Sequence, residues 1–167
     1  MTIRLRGHHL LCLLGYRGKG YSESFCDNMT EIYERLRLHP ETEIEIVEGP
    51  DDICRAFPSD QISHCMNDSV FRKDAAIVRL AGLGFAAASN DGGSIPAGED
   101  GSGAGLRVGD RASWAALCEA VRSQVQPEDV KTICADCRWE PFGLCKEGVA
   151  HMRAQGDLRP LPGAGNP

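Results

Sequence analysis

The pattern of apolar and polar positions in the first third of the chain predicts two strands and two helices. Residues 2–6 alternate as a short strand does, and residues 8–15 fit a short helix that ends at a glycine. Across residues 24–38 apolar side chains recur every three or four positions, which predicts an amphipathic helix. Residues 43–47 alternate charged and apolar side chains, so they predict a strand with one buried face.

Further along the chain, the pattern predicts a third helix followed by an insertion. Residues 67–69 can cap a helix that runs to about Leu80, with Gly82 as its C-terminal stop. Residues 84–109 are rich in Gly, Ala, Ser and Asp, so they offer little apolar surface to offset the entropy of ordering. We therefore expect a flexible insertion here.

The C-terminal part predicts one more amphipathic helix, a short helical turn and a tail. Ser113 caps a helix whose apolar residues fall on one face, and Pro127 opens the helical turn. The Gly- and Pro-rich residues 156–167 are expected to form a disordered tail. Together these elements predict an α+β fold, a mainly helical single domain over residues 1–155 with a few short strands and cysteine-bearing metal loops.

The charge and the N-terminal pattern narrow the possible partners. The formal net charge of -6 and the pI near 5.3 disfavour a non-specific nucleic-acid binder, because such proteins need a clustered Lys/Arg surface. The apolar run from Leu10 to Leu14 is too short for a signal peptide or a membrane span. We therefore expect a cytoplasmic protein with no nucleic-acid and no membrane partner.

The eight cysteines are the most informative residues of the sequence. Cytoplasmic thiols are kept reduced, so this number argues for metal ligation or redox chemistry instead of a disulfide scaffold. Cys134 and Cys137 are separated by two residues, a spacing that lets both thiolates bind one metal, and Cys145 can supply a third. The fourth ligand must come from elsewhere in the chain, or the site keeps an open position.

A second segment repeats this spacing. Cys54, Phe57 and Cys65 occupy the same relative positions as the three cysteines above, and each set follows an isoleucine. We interpret the repeat as two similar metal-binding loops, of which the first has lost one thiolate ligand at Phe57. His64 can substitute as a ligand, because imidazole binds both zinc and iron.

Cys12 is another candidate for the missing ligand. It shares a helical face with His8, one turn away, so a thiol and an imidazole could be presented together. A buried, hydrophobe-like thiol is an equal alternative for Cys12. Cys26 and Cys118 lie on or beside apolar helix faces, which indicates structural roles.

The segment from Arg6 to Ser22, which contains the His8–His9 pair and Cys12, resembles the opening of domain-of-unknown-function family 1284. Shorter segments elsewhere also resemble this family: Asn28-Met29, residues 49–54, Ser113-Trp114, residues 127–129 and residues 133–145. The resemblance implies a small bacterial or archaeal iron–sulfur protein without an established activity. The cysteine pattern of the family falls on six positions here: Cys12, Cys54, Cys65, Cys134, Cys137 and Cys145. Relatives often carry cysteine where this chain has Phe57.

Three hypotheses follow from the sequence. The first is an iron–sulfur cluster as cofactor, with electron transfer or redox sensing as the role and a redox protein as a possible partner. The second is a structural zinc site that contributes folding energy without catalysis. The third is a thiol enzyme with Cys12 as nucleophile and His8 or His9 as base.

Overall fold

The fold is seen in a computed structural model that describes residues 1–88 and 105–163, with side chains described outside residues 83–104. Two segments, residues 54–65 and 134–145, are called the N-terminal and the C-terminal cysteine loop. Each contains one short 3-10 helix, Cys54–Ala56 in the first and Glu140–Phe142 in the second. The strands are β1 (Ile3–Leu5), β2 (Glu43–Ile46) and β3 (Arg111–Ser113). The helices are α1 (Gly7–Gly15), α2 (Glu23–Leu38), α3 (Asp68–Ala88), α4 (Trp114–Gln124), α5 (Pro127–Ile133) and α6 (Leu144–Gln155).

The three strands form one small mixed sheet in the order β1-β2-β3. Strand β1 pairs in parallel with β2, with Ile3 opposite Ile44, and β2 pairs antiparallel with β3. The alternation predicted for β1 and β2 is confirmed, because Leu5, Ile44 and Ile46 are fully buried while the intervening residues face outward. The sheet therefore presents one apolar face to the helices.

Helices α1 and α6 cross with their backbones in direct contact. A Cβ atom added to Gly148 of α6 would lie 2.3 Å from the carbonyl carbon and oxygen of Leu14. A Cβ atom added to Gly15 of α1 would lie 2.6 Å from the Cα atom of Cys145. Only glycine allows so close an approach, and this crossing sets Cys12 of α1 beside Cys145 of α6.

The N-terminus of α1 packs just as closely against α3. A Cβ atom on Gly7 would lie 2.3 Å from the backbone oxygen of Asp74. The prediction that α3 stops at Gly82 is wrong, because the helix continues to Ala88. A glycine inside a helix costs about 1 kcal/mol relative to alanine. At position 82 the glycine makes room for the returning chain, since an added Cβ atom would lie 3.0 Å from the backbone nitrogen of Leu106.

The insertion and the tail differ from expectation where they are described. The first residues of the predicted insertion, 84–88, are helical, and Leu106 near its end is buried; residues 89–104 lie outside the described residues. The prediction that the tail is disordered is wrong for residues 157–163. Leu158 and Leu161 are buried there, and the Tyr33 hydroxyl donates a hydrogen bond to the carbonyl oxygen of Arg159 at 2.6 Å.

The fold class agrees with the sequence prediction. The described residues form six helices around a three-stranded sheet, so the protein is a mainly helical α+β domain. The helix caps follow the sequence: Ser22 and Ser113 each accept a hydrogen bond from a backbone N–H three residues on. Within the described part of the chain, no helix has the length and apolar character needed to cross a membrane.

Candidate metal centre

A cavity of about 350 Å³ lies between α1, α6 and the two cysteine loops. It brings together the side chains that the sequence analysis marked as candidate ligands. All eight line it: Cys12, Cys54, Cys65, Cys134, Cys137, Cys145, His8 and His64. The two loops that repeat in the sequence therefore face one cavity from two sides.

The repeated spacing corresponds to a repeated backbone turn. The N–H of Cys137 donates to the carbonyl oxygen of Cys134 at 2.9 Å, and the N–H of Phe57 donates to that of Cys54 at the same distance. Each loop thus has a tight turn at its first two repeat positions. In the N-terminal loop the phenyl ring of Phe57 stands where the other loop has a thiol.

Cys12, Cys134, Cys137 and Cys145 form the four-cysteine group on the C-terminal side of the cavity. The interaction with the Cys12 thiol lowers the pKa of Cys145, while the same interaction and burial raise the pKa of Cys12. Burial raises the pKa of Cys134 to about 12, and the neighbouring Cys145 and Cys137 add to this effect. The helix crossing therefore joins Cys12 to the three cysteines recognised from their spacing.

The sulfur atoms of this group are neighbours, but they are not tightly clustered. Among the residues that the structure describes, no three of the four sulfur atoms all lie within 4.8 Å of one another. Four thiolates bound to one zinc ion at about 2.3 Å would lie about 3.8 Å apart.

The other side of the cavity contains a buried histidine–carboxylate pair next to Cys54. A ring nitrogen of His9, a carboxylate oxygen of Asp51 and the Cys54 sulfur all lie within 4.8 Å of one another. His9 Nδ1 is 2.6 Å from Asp51 Oδ2, which also accepts from the Arg6 backbone N–H at 2.9 Å. Asp51 Oδ1 accepts from the backbone N–H groups of Ile53 and Cys54, each at 3.0 Å.

These hydrogen bonds keep Asp51 ionised in spite of its burial. Burial alone would raise the pKa of Asp51, but the interaction with His9 and the backbone N–H groups lowers it well below its ordinary value. Burial raises the pKa of Cys54, and the charge of the Asp51 carboxylate adds to this effect. Asp51 therefore fixes the position of His9 and the start of the N-terminal cysteine loop together.

A second histidine–carboxylate pair lies beside the first. His8 Nδ1 is 2.7 Å from Asp74 Oδ1, and the ring centroids of His8 and His9 are 4.2 Å apart. Burial and the neighbouring His9 lower the pKa of His8 to about 4. The Arg6 side chain, 0% exposed, donates from Nε to Asp74 Oδ2 and from Nη1 to the Cys65 carbonyl oxygen, both at 2.8 Å.

Aromatic side chains surround the cavity between its two sides. The centroid of the Tyr21 ring lies 4.8 Å from that of Phe57 and 5.5 Å from that of Trp139. The Tyr21 hydroxyl oxygen is 3.3 Å from His64 Nε2. His64, the predicted substitute ligand, thus has one ring nitrogen engaged by Tyr21. Burial, together with Lys73, lowers the pKa of His64.

The thiol-enzyme hypothesis finds little support in this geometry. A nucleophilic cysteine needs a lowered pKa, whereas the pKa of Cys12 is raised. The sulfur of Cys12 interacts with Cys145, and His8 is directed to Asp74 through Nδ1.

Sequence reasoning missed the buried charges that hold the two histidines. Arg6, Asp51 and Asp74 were not among the predicted site residues, although all three are buried. One signal was present in the sequence, since two consecutive acidic residues stand directly before Ile53 and Cys54. An acidic pair next to a cysteine loop is a candidate for orienting a histidine.

These features define a cysteine-rich, mainly helical α+β protein whose candidate ligands line one cavity. Residues 20–90 match the family described as "Protein of unknown function (DUF1284)". This match confirms the resemblance to domain-of-unknown-function family 1284, and the matched segment contains Cys54 and Cys65. Searches of curated proteins and of solved structures return no significant match.

Proposed function

We propose that the protein binds an iron–sulfur cluster through Cys12, Cys134, Cys137 and Cys145. The observation that carries this proposal is the position of Cys12, which the glycine-mediated crossing of α1 and α6 sets beside Cys145. A C-x2-C pair, a third cysteine in the same loop and a fourth from a distant helix supply the four thiolates that such a cluster needs.

A cluster and a single zinc ion require different spacings of the thiolates. In a cluster the thiolates bind different iron atoms, so they stand farther apart than the roughly 3.8 Å of a tetrahedral zinc site. No three sulfur atoms of the described four-cysteine group all lie within 4.8 Å of one another, although the thiols of Cys12 and Cys145 interact directly. A structural zinc site is the second candidate, supported by the same four thiolates if the loop contracts on binding.

The surroundings of the group suit an electron-transfer or redox-sensing role. Tyr21, Leu144 and Trp139 line the same cavity and limit the access of water, which is one way in which a protein tunes a reduction potential. All eight cysteines are free, which suits a reducing compartment. We propose a cytoplasmic location and a redox protein as partner.

Anaerobic purification followed by visible absorption, iron and acid-labile sulfide analysis tests the proposal. We expect brown protein that contains iron and sulfide, and we expect Cys137→Ser to lose both. Cys26→Ser is the matched control, because Cys26 does not line the ligand cavity and should keep the cluster. Colourless protein that holds zinc, released on Cys137→Ser, would establish the zinc alternative and refute the cluster.

A further inference from the structure

We propose that the opposite side of the cavity binds one divalent transition metal ion of the zinc type, with His9, Cys54 and Cys65 as ligands. This site is separate from the cluster and does not depend on it. Its donors are one imidazole and two thiols, a set that zinc and iron(II) accept, and three protein ligands leave one coordination position open.

Asp51 orients His9 in this site and is not itself a ligand. Two ligand atoms bound to one ion at about 2.1 Å in tetrahedral geometry would lie about 3.4 Å apart. His9 Nδ1 and Asp51 Oδ2 are 2.6 Å apart, which is a hydrogen bond. Four donors already occupy the two oxygens of Asp51. A histidine that donates Nδ1–H to a carboxylate presents Nε2 to a metal, the usual arrangement in metalloproteins.

Cys54 has the position and the electrostatic surroundings of a ligand. Its sulfur lies within 4.8 Å of a His9 ring nitrogen, against a separation of about 3.6 Å for sulfur and nitrogen bound to one zinc ion. The fully buried Arg6 interacts with the Cys54 sulfur. Arg6 Nη2 has no hydrogen-bond partner, although it contacts Asp74 Oδ2 at 2.8 Å. A thiolate at Cys54 would provide Nη2 with an acceptor.

Cys65 is a further thiol on this side, and its sulfur must move inward on binding, because it does not lie within 4.8 Å of both the His9 ring nitrogen and the Cys54 sulfur. It is buried, it interacts electrostatically with Cys54, and its carbonyl oxygen is held by Arg6 Nη1 at 2.8 Å. Binding replaces the protons of the Cys54 and Cys65 thiols by one doubly charged ion and releases two protons. The total charge of this buried region stays the same, so metal binding adds no uncompensated charge.

Cobalt(II) titration is the test, because thiolate-bound cobalt absorbs strongly in the near ultraviolet. The titration uses the full chain with Cys134→Ser and Cys137→Ser, which removes the cluster ligands and leaves the proposed site intact. We expect one equivalent of cobalt with a thiolate charge-transfer band. His9→Asn should weaken the binding at least about tenfold, and Cys54→Ala should remove the band. Asparagine keeps the hydrogen bond to Asp51 and deletes only the distal nitrogen.

If the variant with both Cys134→Ser and Cys137→Ser does not fold, the zinc content of protein that keeps all its cluster cysteines provides a second test. Wild-type protein reconstituted with iron and sulfide and then dialysed against zinc should hold one zinc ion, which His9→Asn loses without losing iron. The Cys26→Ser control should keep both metals. Cobalt or zinc binding that survives His9→Asn and Cys54→Ala, or that requires Cys12 and Cys145, would overturn the proposal. Failure of the cluster appears separately, as loss of iron and sulfide.

Discussion

The contact between α1 and α6 offers a direct perturbation of the candidate centre, because it can be changed by one methyl group. In Gly148→Ala the new Cβ would meet the backbone of Leu14 at 2.3 Å, and backbone atoms cannot rotate away. The helices must separate by about 1 Å to restore a normal contact, with an overpacking cost of about 1–3 kcal/mol. The higher helix propensity of alanine returns about 1 kcal/mol.

We take the upper part of the overpacking range, because the clash is with backbone atoms, and subtract the propensity gain. Gly148→Ala should therefore lower the free energy of unfolding by about 1–2 kcal/mol. For a domain of this size the melting temperature should fall by about 2–8 °C. The larger effect should be on iron content, because metal–thiolate distances tolerate only about 0.2 Å and the shift separates Cys145 from Cys12.

Circular dichroism melts and iron analysis of anaerobically purified protein measure the two effects. Ala150→Gly is the matched control, since it lies on the exposed side of α6 and should cost about 1 kcal/mol without moving the helix. It should keep its iron. A Gly148→Ala protein with unchanged melting temperature and full iron content would refute the claim that this contact assembles the four-cysteine group.

Three further predictions address the other side of the cavity. Asp51→Asn should lower the free energy of unfolding by about 3 kcal/mol or more, because an amide has one acceptor oxygen where the carboxylate has two, so its NH2 group must face donors that Asp51 now accepts from. Urea denaturation at neutral pH measures this, and a loss below 1 kcal/mol would contradict it. Metal-free protein should lose about 3 kcal/mol of stability as the pH falls from 6.5 to about 4. The reason is that His8 becomes protonated in the unfolded chain over that pH range but stays neutral in the folded chain. His8→Gln should therefore flatten this part of the plot of unfolding free energy against pH, and an unchanged plot would exclude His8 as the source. Phe57→Cys should increase cobalt affinity at the proposed second site by adding a thiol at the turn next to Cys54, and an unchanged titration would show that this position does not face the metal.

The elements of the fold follow closely from the sequence. The alternation in β1 and β2 and the apolar stripe of α2 depend on local periodicity, and the serine caps of α2 and α4 depend on local chemistry. The extension of α3 past Gly82 was not predictable, because the packing of Leu106 against that glycine depends on a distant segment. The tail was misjudged for the same reason, since Leu158 packs on a core that composition does not reveal.

The candidate ligands were identified from spacing, but their grouping was not. The sequence placed Cys134, Cys137 and Cys145 together and left Cys12 open between a ligand and a core thiol. Whether Cys12 reaches the other three cysteines depends on two glycines 133 positions apart, Gly15 and Gly148, which allow α1 and α6 to touch. The histidine–carboxylate pairs were likewise invisible, because His9 and Asp51 meet through tertiary packing.

The most direct test of the central claim compares Cys12→Ser with Cys137→Ser in anaerobically purified protein. If Cys12 is the fourth ligand of the cluster, both variants should lose iron and acid-labile sulfide to a similar extent while circular dichroism shows that they remain folded. Cys118→Ala, which removes a buried thiol from α4 outside the cavity, should retain both. A Cys12→Ser protein that keeps the full iron and sulfide content of the wild type would contradict the account.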